Sequence, residues 1–90
     1  KDPQFMQLVW AGIYKINDEP QGGLWHIIPV KLLKVRSEST MEGTQYQFDV
    51  FARESTCARR KVEPRFVNKE LCTERPLGWS YLYRFVLIEG

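Results

Sequence analysis

From Gln45 to Arg53 apolar and polar residues alternate with a period of two. Tyr46, Phe48, Val50 and Ala52 share one face, and Gln45, Gln47, Asp49 and Arg53 share the other, broken only by Phe51. That period predicts a half-buried antiparallel strand running to Cys57. Upstream, residues 24–40 (LWHIIPVKLLKVRSEST) read as a second extended segment, joined to the first by a tight turn at Met41-Glu42-Gly43. The apolar residues between Ile27 and Val35 do not keep one alternation; either a bulge or burial of both faces would produce that. Pro29 predicts an edge position or a bulge near the start of this strand.

The N-terminal segment has a different period. Phe5, Val9, Gly12/Ile13 and Ile16 recur at helical spacing, and Met6 and Trp10 widen the stripe. Asp2-Pro3 predicts the start, a capping residue before proline at the first helical position. Asn17-Asp18-Glu19-Pro20 predicts the stop. Gly12, inside the stripe, costs about 1 kcal/mol relative to alanine, and a close approach of helix to sheet would explain it. Gln21-Gly22-Gly23 reads as a turn into the sheet. Ala58 to Gly78 is a long polar excursion that needs a tether inside a small domain. Residues 79–88 (WSYLYRFVLI) predict a last strand, apolar on both faces and therefore central or covered on both sides.

Ninety residues bound the chain to one domain, and a domain of that size is marginal without reinforcement. Cys57 and Cys72 would supply it if bonded: closing a loop of 72 − 57 = 15 residues is worth about 3 kcal/mol. The net charge of +2 is too small to argue for nucleic acid, and no apolar run reaches membrane-spanning length. His26, the single histidine, sits among apolar neighbours, whereas a zinc site needs three or four ligands. Neither a phosphate-cradling glycine loop nor a Gly-x-Ser-x-Gly run is present. A Cys57–His26 thiol pair is conceivable by composition, but Cys72 makes a structural disulfide the better reading of Cys57. The expected protein is not an enzyme.

The order of these elements and several local runs resemble the cystatin superfamily in its secreted, disulfide-containing form. FMQLVWAGIYKINDE, with Ile-Asn near its end, is similar to the family's Tyr-Asn-Lys helix. MEGTQYQFDV resembles its Val-Ala-Gly-x-Asn-Tyr run, and Glu-Ser-Thr-Cys at 54–57 is close to its Thr-Thr-Cys. The resemblance covers residues 3–57 well and the remainder loosely. It implies an α+β fold in which one N-terminal helix packs across a curled antiparallel sheet of three to five strands. Residues 1–90 form a single domain in this reading, truncated at one or both ends if the family's outer elements are lacking.

The implied function is reversible inhibition of papain-like cysteine proteases of the cathepsin type, by occlusion of the active-site cleft. The family does this with an N-terminal arm and two hairpin turns, the second bearing tryptophan. The first turn corresponds to Ser39-Thr40-Met41-Glu42-Gly43, where the family has Gln-x-Val-x-Gly. Gly43 alone matches; Ser39 stands for glutamine, Met41 for valine, and Glu42 adds a charge. The glycine of the family's arm has no counterpart here. Trp79 enters through the alignment of residues 58–90, which has two forms. In one, a Cys57–Cys72 disulfide lies within the loop and Trp79–Glu89 is the penultimate strand. In the other, Pro76-Leu77-Gly78-Trp79 is the tryptophan turn, residues near Arg65 to Thr73 form a strand, and the cysteines lie too far apart to bond.

The alternative function is a non-inhibitory cystatin-fold module, structural or pro-segment, of a larger secreted protein. Both readings imply no cofactor and no metal, a secreted, extracellular or lysosomal location, and no nucleic-acid or membrane partner. The first alignment also leaves an open sheet edge, which implies a dimer or strand exchange.

Overall fold

The computed structural model describes residues 3–20 and 22–89. One α-helix, α1 (Pro3–Asn17), is followed by three strands, β1 (Trp25–Thr40), β2 (Gly43–Ala58) and β3 (Ser80–Glu89). All pairings are antiparallel and the order is β1-β2-β3, so β2 is central. This is the α+β arrangement expected from the sequence, with three strands among the described residues. Asp2 and Gln21, named above as cap and turn residues, lie outside them. A 16-residue strand drawn straight would span about 50 Å at 3.3 Å per residue. The longest dimension of the molecule is 42 Å, so the sheet curls around its helix.

The helical stripe buries as its spacing predicts. Val9 and Ile13 are fully buried against Phe48, Val50 and Ala52 of β2, with Phe5 and Ile16 packed at the margins. Phe5 meets Phe48 edge-on at 5.6 Å between ring centroids, an arrangement favoured by the ring quadrupoles. Gly12 is where the helix meets β3: a Cβ there would lie 2.9 Å from the Phe85 ring. The glycine allows that approach.

Asn17, the last helical residue, is buried and bonds both backbone groups of Ile27. Its Nδ2 donates to the Ile27 carbonyl at 2.9 Å, and its Oδ1 accepts the Ile27 N–H at 2.7 Å. One side chain thereby ends the helix and satisfies the outer edge of β1 with the pattern of a neighbouring strand.

β1 departs from simple alternation because it is bulged. Its register against β2 slips between Pro29 and Lys31 and again between Leu32 and Lys34. Pro29, Leu32 and Val35 therefore oppose Ala52, Val50 and Phe48 in turn. They recur every three residues, and the extra residues Val30 and Leu33 are left exposed. Of the two explanations left open by the sequence, the bulge is the one realised.

β3 differs from expectation. Tyr81, Tyr83, Phe85 and Leu87 pack on the core, but Leu82, Val86 and Ile88 are exposed. Among the described residues the strand lies at the sheet edge, covered on one face. Apolar composition on both faces reported side-chain polarity here, not burial.

The 58–78 excursion is tethered as its length requires. Cys57 and Cys72 form a disulfide buried with Ile28, and Trp10, Val62 and Val67 pack against it. The ring Nε2 of His26 donates to the Val62 carbonyl, Thr73 bonds Thr56, and Pro64–Phe66 forms a 3-10 turn. His26 thus pins the loop to β1.

Candidate functional site

Thr40 and Gly43 pair directly, so the first hairpin closes through Met41 and Glu42 alone. The turn has its own fastening. The Thr40 hydroxyl donates to the Gly43 carbonyl at 2.7 Å and accepts the Glu42 N–H at 3.2 Å. Gly43 has φ of 132°, a conformation side chains avoid, which explains the glycine on local grounds. Held this way, the Met41 side chain is fully exposed at the tip. Ser39, opposite Thr44, continues the exposed arm. The result is a short, internally bonded turn presenting one flexible apolar side chain beside one carboxylate. The Thr40 bonds fix the backbone of the turn, while the exposed Met41 side chain keeps its rotamer freedom.

The C-terminal end of β3 lies beside this turn, because Glu89 pairs with Thr44. Ser80, at the other end of the strand, pairs with Arg53. The Trp79 carbonyl accepts the Glu54 N–H at 3.0 Å, which places Trp79 level with Glu54, 54 − 43 = 11 residues along β2 from Gly43. That is roughly 30 Å of strand or more. Residues 39–43 are therefore brought together, and Trp79 stands at the opposite pole.

The same register decides between the two alignments. Pro76-Leu77-Gly78-Trp79 does not join two strands of the sheet, residues 65–73 form no strand, and the cysteines are bonded with Cα atoms 5.4 Å apart. The turn at Pro76 is instead a clamp on the end of β2. Buried Glu54 accepts from the Arg75 guanidinium at 3.2 Å and from the Trp79 N–H at 3.1 Å. Arg53 bonds the Gly78 carbonyl at 3.1 Å and pairs with Glu74 at 3.0 Å. Arg75 also lies over the Trp25 ring, 4.7 Å from its centroid. Sequence reasoning did not assign Glu54 and Arg53 this role. Their signal was the placement of two charges next to Ser-Thr-Cys at the end of an otherwise alternating strand.

On the outer face, Asp49 and Arg84 face each other across β2 and β3 in a two-contact ion pair of 2.8 and 3.3 Å. The Arg84 hydrogen bond holds the Asp49 carboxyl below its ordinary pKa, and the charges of Arg84, Arg36 and Lys34 act in the same direction.

The Cys57 sulfur is in the disulfide and His26 Nε2 is committed to Val62. No group of three or more metal-ligating side chains occurs among the described residues, and no described helix is long and apolar enough to cross a membrane.

No protein-family model matches the chain. It is 32% identical over 63 residues to Onchocystatin of Onchocerca volvulus. The matched region covers 70% of this chain and 38% of that relative. This partial similarity suggests a cystatin-like relationship, in agreement with the observed helix on an antiparallel sheet.

Proposed function

We propose that the chain is a reversible inhibitor of papain-like cysteine proteases, cathepsins included, that occludes the active-site cleft with Ser39–Gly43. The observation that carries this reading is the fully exposed Met41 on a two-residue turn fastened by Thr40. The similarity to Onchocystatin supports the protease-inhibitor class over an enzyme. Met41 supplies the apolar contact and the backbone around Gly43 supplies a preformed edge, so affinity comes from contact area and low ordering cost. In this reading Trp79 takes no part in the same contact. A buried disulfide supports residence in an oxidising compartment, either secreted or lysosomal.

The second reading, a non-inhibitory structural or pro-segment module, is favoured by one observation. Ser39–Gly43 lie at one end of the sheet and Trp79 lies at the other, which leaves the first turn without the tryptophan beside it.

Titration into papain and a cathepsin, followed by residual peptidase activity, separates the two. Progressive loss of activity fits the inhibitor. Full activity at tens of micromolar protein fits the module.

A further inference from the structure

In a regular strand residues 31 and 34 would face opposite sides of the sheet. The bulge at Leu33 puts them on the same side. Lys31, Lys34 and Arg36 pair with Phe51, Asp49 and Gln47, alternate residues of β2, and paired residues share a face. The three cations therefore stand in one file on the face turned away from the helix, about 6.6 Å from one to the next. All three are exposed, and none is ion-paired among the described residues. Arg84 joins them from β3, opposite Asp49.

Asp49 is the one carboxylate in these three rows, and it is already bonded to Arg84. Four cations against it leave a net +3, more than the +2 of the whole chain. Positive potential is thus concentrated on this face, and the fields of Arg36 and Lys34 reach Asp49. Apolar groups border the file. Leu33, extruded by the bulge, and Leu82 are 50% and 74% exposed and flank a depression of about 350 Å³ that also touches Asp49 and Arg84. Phe51, paired with Leu82, is half-buried beside it. A strand paired alongside β3 would extend this face of the sheet without covering it.

We propose that this face binds an extended acidic segment of a partner protein, with carboxylates on Lys31, Lys34 and Arg36 and apolar side chains on Leu33, Phe51 and Leu82. Spacing selects an extended polypeptide. Its alternate side chains repeat at about 6.6 Å, the interval of the file, so acidic residues at every second position meet all three cations. The apolar border selects against a chain that carries charge alone, such as a sulfated polysaccharide. Charge complementarity of this kind sets association rate and partner choice more than raw affinity. The surface lies along the strands, away from the Met41 tip, so this contact stands apart from the one proposed for Ser39–Gly43.

Fluorescence anisotropy tests the proposal, with the 90-residue chain titrated into a short fluorescein-labelled peptide in which glutamate alternates with leucine. Binding should saturate at low ionic strength and weaken as salt screens the charges. The triple variant Lys31→Gln/Lys34→Gln/Arg36→Gln should bind at least tenfold less tightly. Lys61→Gln/Arg65→Gln/Lys69→Gln, which removes the same charge from exposed positions of the 58–78 loop, should bind within about twofold of the parent, because screened charges far from the contact contribute little. Both should keep the parent's far-ultraviolet dichroism. On the unmodified chain, a glutamate–serine peptide of the same length should bind at least threefold less tightly than the glutamate–leucine one, a comparison that needs no variant to fold. A parent chain that does not bind the peptide, equal weakening by the two triple variants, or equal affinity for the two peptides would each overturn the proposal. Equal affinity for the peptides together with tight retention on heparin would assign the patch to a sulfated polysaccharide instead.

Discussion

Replacing Asn17 with alanine should destabilise the fold more than any other single polar change on the helix. The side chain makes two buried hydrogen bonds, at 2.9 and 2.7 Å, to the carbonyl and N–H of Ile27. Ile27 itself is only 8% exposed. Deleting the amide leaves one buried donor and one buried acceptor unpaired, each costing about 1–3 kcal/mol. Allowing for partial access of water at the strand edge, the expected loss is about 2–4 kcal/mol. A 90-residue domain loses roughly 4–8 °C in Tm per kcal/mol, so the melt should fall by about 8–30 °C. Urea titration followed by tryptophan fluorescence measures the free energy directly, and a lower midpoint with an unchanged slope would assign the change to the native state. Asn17→Asp separates hydrogen bonding from volume. It keeps the acceptor for the Ile27 N–H but sets a carboxylate against the Ile27 carbonyl, and should be no better than alanine. A loss below about 0.5 kcal/mol for Asn17→Ala, within the range of ordinary surface changes, would refute the anchoring role.

Three further outcomes follow from the same geometry. Gly12→Val should lower stability by about 1–3 kcal/mol, because its Cβ would lie 2.9 Å from the Phe85 ring and force overpacking; thermal melts will show it. Replacing both Cys57 and Cys72 with serine should cost about 3 kcal/mol by loop entropy, with slower loss of protease resistance elsewhere than in residues 58–78. Asp49 has a folded-state pKa below its ordinary value because of the Arg84 hydrogen bond. Its contribution is therefore present above the ordinary carboxylate pKa and lost as pH falls through the depressed one. In Arg84→Ala the carboxyl resonance of Asp49 should titrate at higher pH than in the parent, and an unchanged midpoint would contradict the pairing.

The sequence made β2 legible because one of its faces is buried and the other is not. Tyr46, Phe48, Val50 and Ala52 therefore carried a period that survives without any structural knowledge. β1 did not, because two bulges change the repeat of buried positions from two to three, and a search for strict alternation cannot find Pro29, Leu32 and Val35 as one row. The spacing of the helical stripe and the close approach at Gly12 were both readable. The hydrogen bonds of Asn17 were not, since a terminal asparagine has the same composition whether it caps the helix in solvent or anchors a strand. β3 was read differently for a related reason: apolar residues on both faces indicate what a strand could bury, whereas Leu82, Val86 and Ile88 are exposed among the described residues.

The candidate site was half legible. Gly43 marked the first turn through the backbone conformation it must adopt. Trp79 was ambiguous because Pro-Leu-Gly before an aromatic strand fits a hairpin turn as well as a loop clamp. The pairing of Ser80 with Arg53 and of Glu89 with Thr44, together with the Cys57–Cys72 bond, separates them. Gly43 is also a poor probe of contact, since any side chain at φ of 132° is strained whatever it touches. Met41 carries no such penalty.

Met41→Asp therefore gives the most direct test of the proposed contact. The side chain is fully exposed, so the variant should fold with a melting temperature within experimental error of the parent. Its inhibition constant against papain should rise at least tenfold, from loss of apolar burial and introduction of a second carboxylate beside Glu42. Equal potency of variant and parent, or no inhibition by either, would contradict the assignment of the turn as the inhibitory surface.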